Sequence, residues 1–206
     1  MAFHPHGLYA LTPDGCSSPA EAVEAAIAGG ARMIQYRDKT AGTEESEVRA
    51  KALLTLCQSR GIPLIINDNL DLALAIGADG VHLGEDDCSI TEARDRFSSG
   101  LIGASCYNDF ARARAAIHSG ASYVAFGSFY ASPTRPDAVT AQPDLLMRAH
   151  RELSVPVCAI GGINADNAAS LIQAGADLLA VCSGIFAQSD ITSAAQAITN
   201  QFQENG

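Results

Sequence analysis

The stretch 76–83, IGADGVHL, closes one helix-like run and opens one strand-like run within a few residues. Before it lies the amphipathic segment NLDLALAIG, and Gly77 supplies the left-handed backbone that commonly ends a helix. After it, Val81, His82 and Leu83 begin a short apolar run suited to a buried strand. Three other stretches have the same form: GGARMIQ at 29–35, SGASYVAF at 119–126 and AGADLLAV at 174–181. Their glycines, Gly30, Gly77, Gly120 and Gly175, are separated by 47, 43 and 55 residues. Two βα units of about 25 residues fit each interval, so the chain holds about eight such units.

Working outward, the other punctuation agrees. In SSPAEAVEAAIAGG, Ser18 is placed to cap a helix, with Pro19 in its first turn and Glu21 completing a capping box. TEESEVRAKALLTLCQSRG opens with Thr43 and two glutamates, which suit the positive end of a helix dipole, and stops at Gly61. SITEARDRF repeats the capping pattern from Ser89 to Glu92. Between the helices lie GLYALT, ARMIQY, PLIIND, GVHLGE, LIGASC, YVAFGS, VPVCAIGG and LLAVCS, apolar runs typical of strands in a buried parallel sheet. The fold expected is α/β: a single compact (β/α)8 TIM barrel spanning residues 1–206, with its active site at the C-terminal ends of the strands. An open doubly wound sheet is the rival, and no G-x-G-x-x-G follows the first strand to favour it.

The bulk numbers fit one such domain: 206 residues, 48% hydrophobic and 17% charged. No apolar run reaches the roughly 18 residues expected of a membrane span. The first residues lack the basic-then-apolar pattern of a signal peptide. Acidic residues outnumber basic ones 23 to 13, for a net charge of −10, which argues against nucleic acid and anionic membrane as partners. Cysteines at 16, 57, 88, 106, 158 and 182 form no C-x-x-C pair and show no zinc spacing. They read as free thiols of a reducing cytoplasm.

Against this acidic background, MIQYRDK at 33–39 gathers Gln35, Arg37 and Lys39 at alternate positions, on one face of a strand and its exit. Other strands exit through Asn67, Asp68 and Asn69; through Glu85, Asp86 and Asp87; and through Ser105. After the sixth strand comes FGSFYASPTRPDA, with Ser132, Thr134 and Arg135. The seventh and eighth end in AIGGI, with Gly161 and Gly162, and VCSGIF, with Cys182 and Ser183. Each has a bland explanation: Asp68 could cap the following helix, GEDD could be a solvated loop, SPTRP an ordinary turn, and the glycine pair a packing device. His82 reads as a layer-filling residue without a chemical role. In combination they offer cations and an amide for a polyanion, two carboxylates for Mg2+, and a Gly-rich cradle for a monophosphate. A metal-assisted transfer with diphosphate as leaving group follows.

Seven motifs in order, QYRDK, IINDN, GVHLGEDD, GAS, FGSFYASPTRP, AIGGI and VCSGIF, resemble the thiamine phosphate synthase family over nearly the whole chain. That resemblance implies a TIM-barrel transferase of thiamine biosynthesis. It would join 4-amino-2-methyl-5-hydroxymethylpyrimidine diphosphate to a thiazole monophosphate, plain or carboxylated, by a Mg2+-dependent dissociative substitution that releases pyrophosphate. Gln35, Tyr36, Arg37, Asp38 and Lys39 would meet the pyrimidine and its diphosphate, and Asn67 the pyrimidine. Asp68 and Asp87 would hold the metal, and Ser105 would lie near the diphosphate. Ser132, Thr134, Gly162, Cys182 and Ser183 would surround the thiazole phosphate, and Arg135, with Mg2+, Arg37 and Lys39, would stabilise the charge on the leaving diphosphate. The catalytic charges and donors would be Arg37, Lys39, Ser105 and Arg135. The family usually has Lys where this chain has Arg135, Thr at Ser132 and an aliphatic residue at Cys182. The related thiazole tautomerases tend to lose the Gln-x-Arg-x-Lys run and the paired carboxylates, both kept here; a regulatory phosphate-binding barrel and a phosphosugar isomerase are further rivals. The partners expected are small phosphorylated molecules, with a homo-oligomer left open. The connection Gly127 to Pro143, carrying Pro133, Pro136 and Pro143, is the expected cover over the mouth.

Overall fold

A computed structural model describes residues 5–131 and 140–205. Its strands are β1 (Gly7–Leu11), β2 (Met33–Tyr36), β3 (Leu64–Asn67), β4 (Gly80–Leu83), β5 (Leu101–Tyr107), β6 (Tyr123–Phe126), β7 (Val157–Ile160) and β8 (Leu178–Val181). All pair in parallel in chain order, and β8 closes the barrel on β1. Helices α1 (Pro19–Ala28), α2 (Thr43–Ser59), α3 (Leu70–Ile76), α4 (Ile90–Arg96), α5 (Phe110–His118), α6 (Pro143–Glu152) and α7 (Ala168–Gln173) follow the first seven strands. The last unit has two among the described residues, the single turn α8 (Ser183–Phe186) and the longer α9 (Ile191–Asn205), where the alternation suggested one.

The repeated Gly-Ala is the device that builds the barrel. Gly30, Gly77, Gly120 and Gly175 all have positive φ, between 68° and 100°. Each donates its N–H to the carbonyl three residues back, and the following alanine donates five residues back: Ala31 to Ala26, Ala78 to Ala73, Ala121 to Ala116 and Ala176 to Leu171, at 2.9–3.0 Å. This is the paired hydrogen-bond pattern of a Schellman helix end. The next residue then docks on the preceding strand. Arg32 N–H donates to Leu8 O, Asp79 to Leu64 O, Ser122 to Ile102 O and Asp177 to Val157 O, at 2.7–3.1 Å. Asp79 and Asp177 also accept, through their side chains, the first N–H of β3 and β7 at 2.9 and 2.8 Å. Helix stop, reversal and strand alignment are thus encoded in three consecutive residues.

Alternation divides the strands into two layers. Leu8, Ala10, Ile34, Tyr36, Ile66 and Val81 pack outward under the helices. Tyr9, Leu11, Met33, Ile65, Tyr123, Cys158 and Leu178 fill the barrel interior. Glycine makes room for the large ones: a Cβ on Gly103 would lie 2.2 Å from the Tyr123 ring and 2.4 Å from His82 Nδ1. Ser89 caps α4 as expected, accepting from Glu92 N–H at 3.1 Å. Ser18 precedes α1 but makes no side-chain cap bond, so the capping box expected there does not form.

Candidate active site

The interior layer opens, at the C-terminal ends of the strands, into a cavity of about 690 Å³. Gln35, Arg37, Lys39, Asn67, Asp68 and Ser105 line it, opposite Gly161, Gly162, Cys182 and Ser183. Seven strand exits were singled out in the sequence as converging; those of β2, β3, β5, β7 and β8 bring side chains or glycines to this cavity, whereas at the β4 exit Gly84 lines it and Glu85, Asp86 and Asp87 do not. Ser132, Thr134 and Arg135, with the rest of residues 132–139 of the expected cover, lie outside the described residues.

β1 fixes the exit of β2. The Thr12 hydroxyl accepts from Arg37 N–H and donates to Arg37 O, both at 2.9 Å. Asp14 pairs with the Arg37 guanidinium at 2.6 Å and accepts the Lys39 N–H at 2.8 Å. Burial opposes its ionisation, yet these two donors hold its carboxyl below the usual carboxylate range. Alternation sends Tyr36 and Asp38 the other way. Tyr36 is buried outside the barrel, against the helix layer. Asp38 accepts from Gly15, Thr40 and Ala41 N–H, from the Thr40 hydroxyl and from Arg49. Despite burial, those bonds lower its pKa to about 2. Of the run 35–39, then, the side chains of Gln35, Arg37 and Lys39 line the cavity; those of Tyr36 and Asp38 do not, and Asp38 instead ties the loop together.

The helix-cap alternative for Asp68 is resolved by its neighbour. Asn69 caps α3, accepting from Leu72 N–H at 2.9 Å, which leaves the Asp68 carboxylate to the cavity. Asp68 has φ 62°, and Tyr107, also on the cavity wall, has φ 54°. These are the non-glycine residues with positive φ among the described residues, and such backbone tends to gather at functional sites. Lys39 Nζ lies 3.1 Å from Asp68 Oδ2. Asp87 stands just behind the wall, accepting Gly84 N–H at 2.6 Å. Its pKa is raised, first by burial and then by the charge and hydrogen bond of Asp68, against the pull of Gly84 N–H and Lys39. The nearby Asp68 charge favours the protonated form of Asp87, and a cation between the two carboxylates would relieve the repulsion. Among the described residues no set of three or more His, Cys, Asp or Glu side chains gathers into a metal cage.

On the far wall, the β7 glycines are needed for close approach. A Cβ on Gly161 would fall 1.9 Å from Ser128 Oγ, and one on Gly162 would fall 2.5 Å from Ala131 O. The chain leaving β6 therefore lies flat on the end of β7, with Phe129 and Tyr130 N–H bonded to Ile160 O and Gly161 O at 3.1 Å. Packing is one function of this pair, and it also leaves bare backbone on the cavity wall. Cys182 is partly buried there; burial raises its thiol pKa.

Sequence reasoning missed the cavity residues His82 and Tyr9, and the buried Tyr123 that bonds to both. His82 is more than a space filler: its Nε2 lies 2.9 Å from Ser105 Oγ and its Nδ1 3.0 Å from the Tyr123 hydroxyl. Burial lowers its pKa to about 4, with Asp68 opposing, so the ring is neutral at pH 7. Tyr9 and Tyr123 are buried in the interior, their hydroxyls 2.9 Å apart. Two tyrosines at inward positions of strands were the available signal, because a buried phenol needs a partner.

The family model for thiamine monophosphate synthase matches residues 8–185. Among curated relatives, the thiamine-phosphate synthase of Thiobacillus denitrificans is 52% identical over 206 residues, covering 98% of this chain and 97% of that protein. That of Marinobacter nauticus is 48% identical, covering 95% and 90%. Among solved structures, thiamine phosphate pyrophosphorylase from Pyrococcus furiosus superposes with a TM-score of 0.91 at 33% identity, over 98% of this chain and 97% of that one. A 3-hexulose-6-phosphate synthase, at 17% identity and a TM-score of 0.67, shares the fold alone. Matched along nearly its whole length by relatives half identical to it, the chain belongs to the thiamine-phosphate synthase family.

Proposed function

We propose that this chain joins hydroxymethylpyrimidine diphosphate to hydroxyethylthiazole phosphate, forming thiamine phosphate and pyrophosphate. The observation that carries the reading is the convergence of Arg37, Lys39, Asp68 and Ser105 on one cavity, facing the bare backbone of Gly161 and Gly162. One wall suits a diphosphate and the other a monophosphate. The aminopyrimidine ring lies between Gln35 and Asn67, with its diphosphate toward Arg37, Lys39 and Ser105. The thiazole phosphate takes the β7 and β8 ends, near Gly162, Cys182 and Ser183.

Asp68 and Asp87 fit Mg2+. The ion commonly takes one or two carboxylates plus substrate phosphate oxygens and keeps its waters, so it needs no larger cage. When bound, it neutralises charge growing on the diphosphate oxygens. The pyrimidine methylene C–O bond breaks, and its electron pair leaves with the diphosphate. The thiazole nitrogen lone pair then forms the new C–N bond. No side chain has to take up a proton at that step. The residues supply position and fixed charge: Arg37, Lys39 and Ser105 face the leaving oxygens, while Gln35 and Asn67 hold the ring. Losing one such donor from a closed site costs roughly 3–4 kcal/mol of transition-state stabilisation. The free thiols Cys57, Cys106 and Cys158, buried in the core, suit the reducing cytoplasm as the place of work.

The test is purified protein with both substrates and Mg2+, followed by detection of pyrophosphate and thiamine phosphate in equal amounts. Thiazole isomerisation without coupling, or binding without turnover, would overturn the reading.

A further inference from the structure

Across the floor of the cavity, side chains from five strands form one unbroken row of hydrogen bonds. Gln35 Nε2 donates to the Tyr9 hydroxyl at 2.6 Å. The Tyr9 and Tyr123 hydroxyls are 2.9 Å apart, Tyr123 is 3.0 Å from His82 Nδ1, and His82 Nε2 is 2.9 Å from Ser105 Oγ. The three middle members are buried, at 1%, 0% and 7% exposure for Tyr9, Tyr123 and His82. Both ends, Gln35 and Ser105, line the cavity. The row crosses the barrel because Gly103 has no Cβ where Tyr123 and His82 meet.

Each link uses one hydrogen, so the anchor sets the sense of the whole. With the Gln35 N–H spent on Tyr9, the Tyr9 O–H has Tyr123 as its acceptor. Tyr123 then donates to His82 Nδ1. The neutral imidazole carries its proton on Nε2 and donates to Ser105, whose own O–H is left for the cavity. With Gln35 Nε2 donating to Tyr9, the opposite sense would aim two donors at the Tyr9 oxygen and leave the hydrogen of this 1% exposed phenol without a protein acceptor, a cost that native interiors avoid.

We propose that Tyr9, Tyr123 and His82 are positioning residues that fix the hydrogen-bond sense at both ends of the cavity. Gln35 is held to present its carbonyl, and Ser105 is held to present its O–H. The site thereby selects a ligand with an N–H donor at the β2 end and an anionic oxygen at the β5 end. Resting on the function proposed above, these are the ring amino group and the diphosphate of one substrate. A pyrimidine with an oxo group in place of the amine would face an acceptor with an acceptor.

The first measurement needs no substrate, so its failure is separate from failure of the synthase reading. Nitrogen-15 NMR of the wild-type imidazoles, with His82 assigned through the loss of its signals in His82→Asn, is expected to show the His82 proton on Nε2. A proton on Nδ1 would overturn the proposal. The second measurement is a double-mutant cycle in the coupling assay. Tyr123→Phe frees His82 to accept from Ser105, so kcat is expected to fall about tenfold or more, the scale of a hydrogen bond to a charged group. In a Ser105→Ala background the same change should cost almost nothing further. Multiplicative losses in the double variant would mean that Tyr123 acts by packing alone and would refute its action through Ser105. If Tyr123→Phe does not fold, Tyr9→Phe paired with Gln35→Ala gives the corresponding cycle from the other end.

Discussion

Replacing Asp38 by Asn tests whether the loop that carries Arg37 and Lys39 is held by one buried charge. The carboxylate takes three backbone N–H groups, from Gly15, Thr40 and Ala41, plus the Thr40 hydroxyl and the Arg49 guanidinium. Its side chain is 2% exposed. Those bonds bring its pKa from 3.8 to about 2 in the fold. At about 1.4 kcal/mol per pH unit, the charged form contributes about 2–3 kcal/mol to stability. The sign follows from linkage: a folded-state pKa depressed below the unfolded value gives stability that is present above the unfolded pKa, near pH 4. It is lost as the pH falls through the folded pKa, near pH 2. Asn matches the shape but cannot ionise. Urea unfolding should therefore place Asp38→Asn about 2–3 kcal/mol below wild type at pH 7, and about half that at pH 3. A gap that does not change between pH 7 and pH 3, or one under about 0.5 kcal/mol at pH 7, would refute the argument.

Asp68→Ala and Asp87→Ala are each expected to lower Mg2+-dependent turnover by a hundredfold or more while circular dichroism stays native; normal turnover in either variant would remove that ligand from the scheme. Arg37→Ala should raise KM for the pyrimidine diphosphate at least tenfold and leave binding of the thiazole phosphate within twofold, as measured by calorimetry. Gly103→Ala would push a methyl group to 2.2 Å from the Tyr123 ring, so it should destabilise by about 1–3 kcal/mol or prevent folding, which thermal melting reads directly.

The fold was legible because its control points are local. A Schellman turn needs glycine at one position, and the residue three later starts the next strand, so four copies of one short pattern announce the barrel. Strand alternation then placed Gln35, Arg37 and Lys39 together. The same rule sends Tyr36 outward, and a motif read as a unit hid that distinction. Asp68 was ambiguous because Asp and Asn are both good helix caps; only the structure shows that Asn69 takes the task. The interior row was invisible for a different reason. Tyr9, His82 and Tyr123 lie 41 to 114 residues apart, and nothing local to any of them says that their polar atoms will meet. The Ser18 capping box failed because a sequence pattern states which bonds are available, not which are made.

The cations on an acidic chain find their explanation in how they wait. Arg37 is paired with Asp14 and Lys39 with Asp68, and all four side chains are partly open to solvent. Pairs of that kind contribute at most about 1 kcal/mol each, so they are readily exchanged. Their value lies in order. A free Arg or Lys side chain carries about 2 kcal/mol of rotamer entropy, which an arriving anion would otherwise have to remove. Held by a carboxylate, the cation is already directed at the cavity, and on the function proposed above the diphosphate would replace one partner with another. Asp14 also holds the Lys39 backbone, so releasing its grip on Arg37 does not release the loop. The net charge of −10 acts over longer distances, which salt screens beyond about 8 Å. It disfavours loose anion binding elsewhere on the surface, while within the cavity the nearest charges decide. An acidic protein can in this way hold a polyanion at one mouth, provided that its cations are tethered there by its own acids.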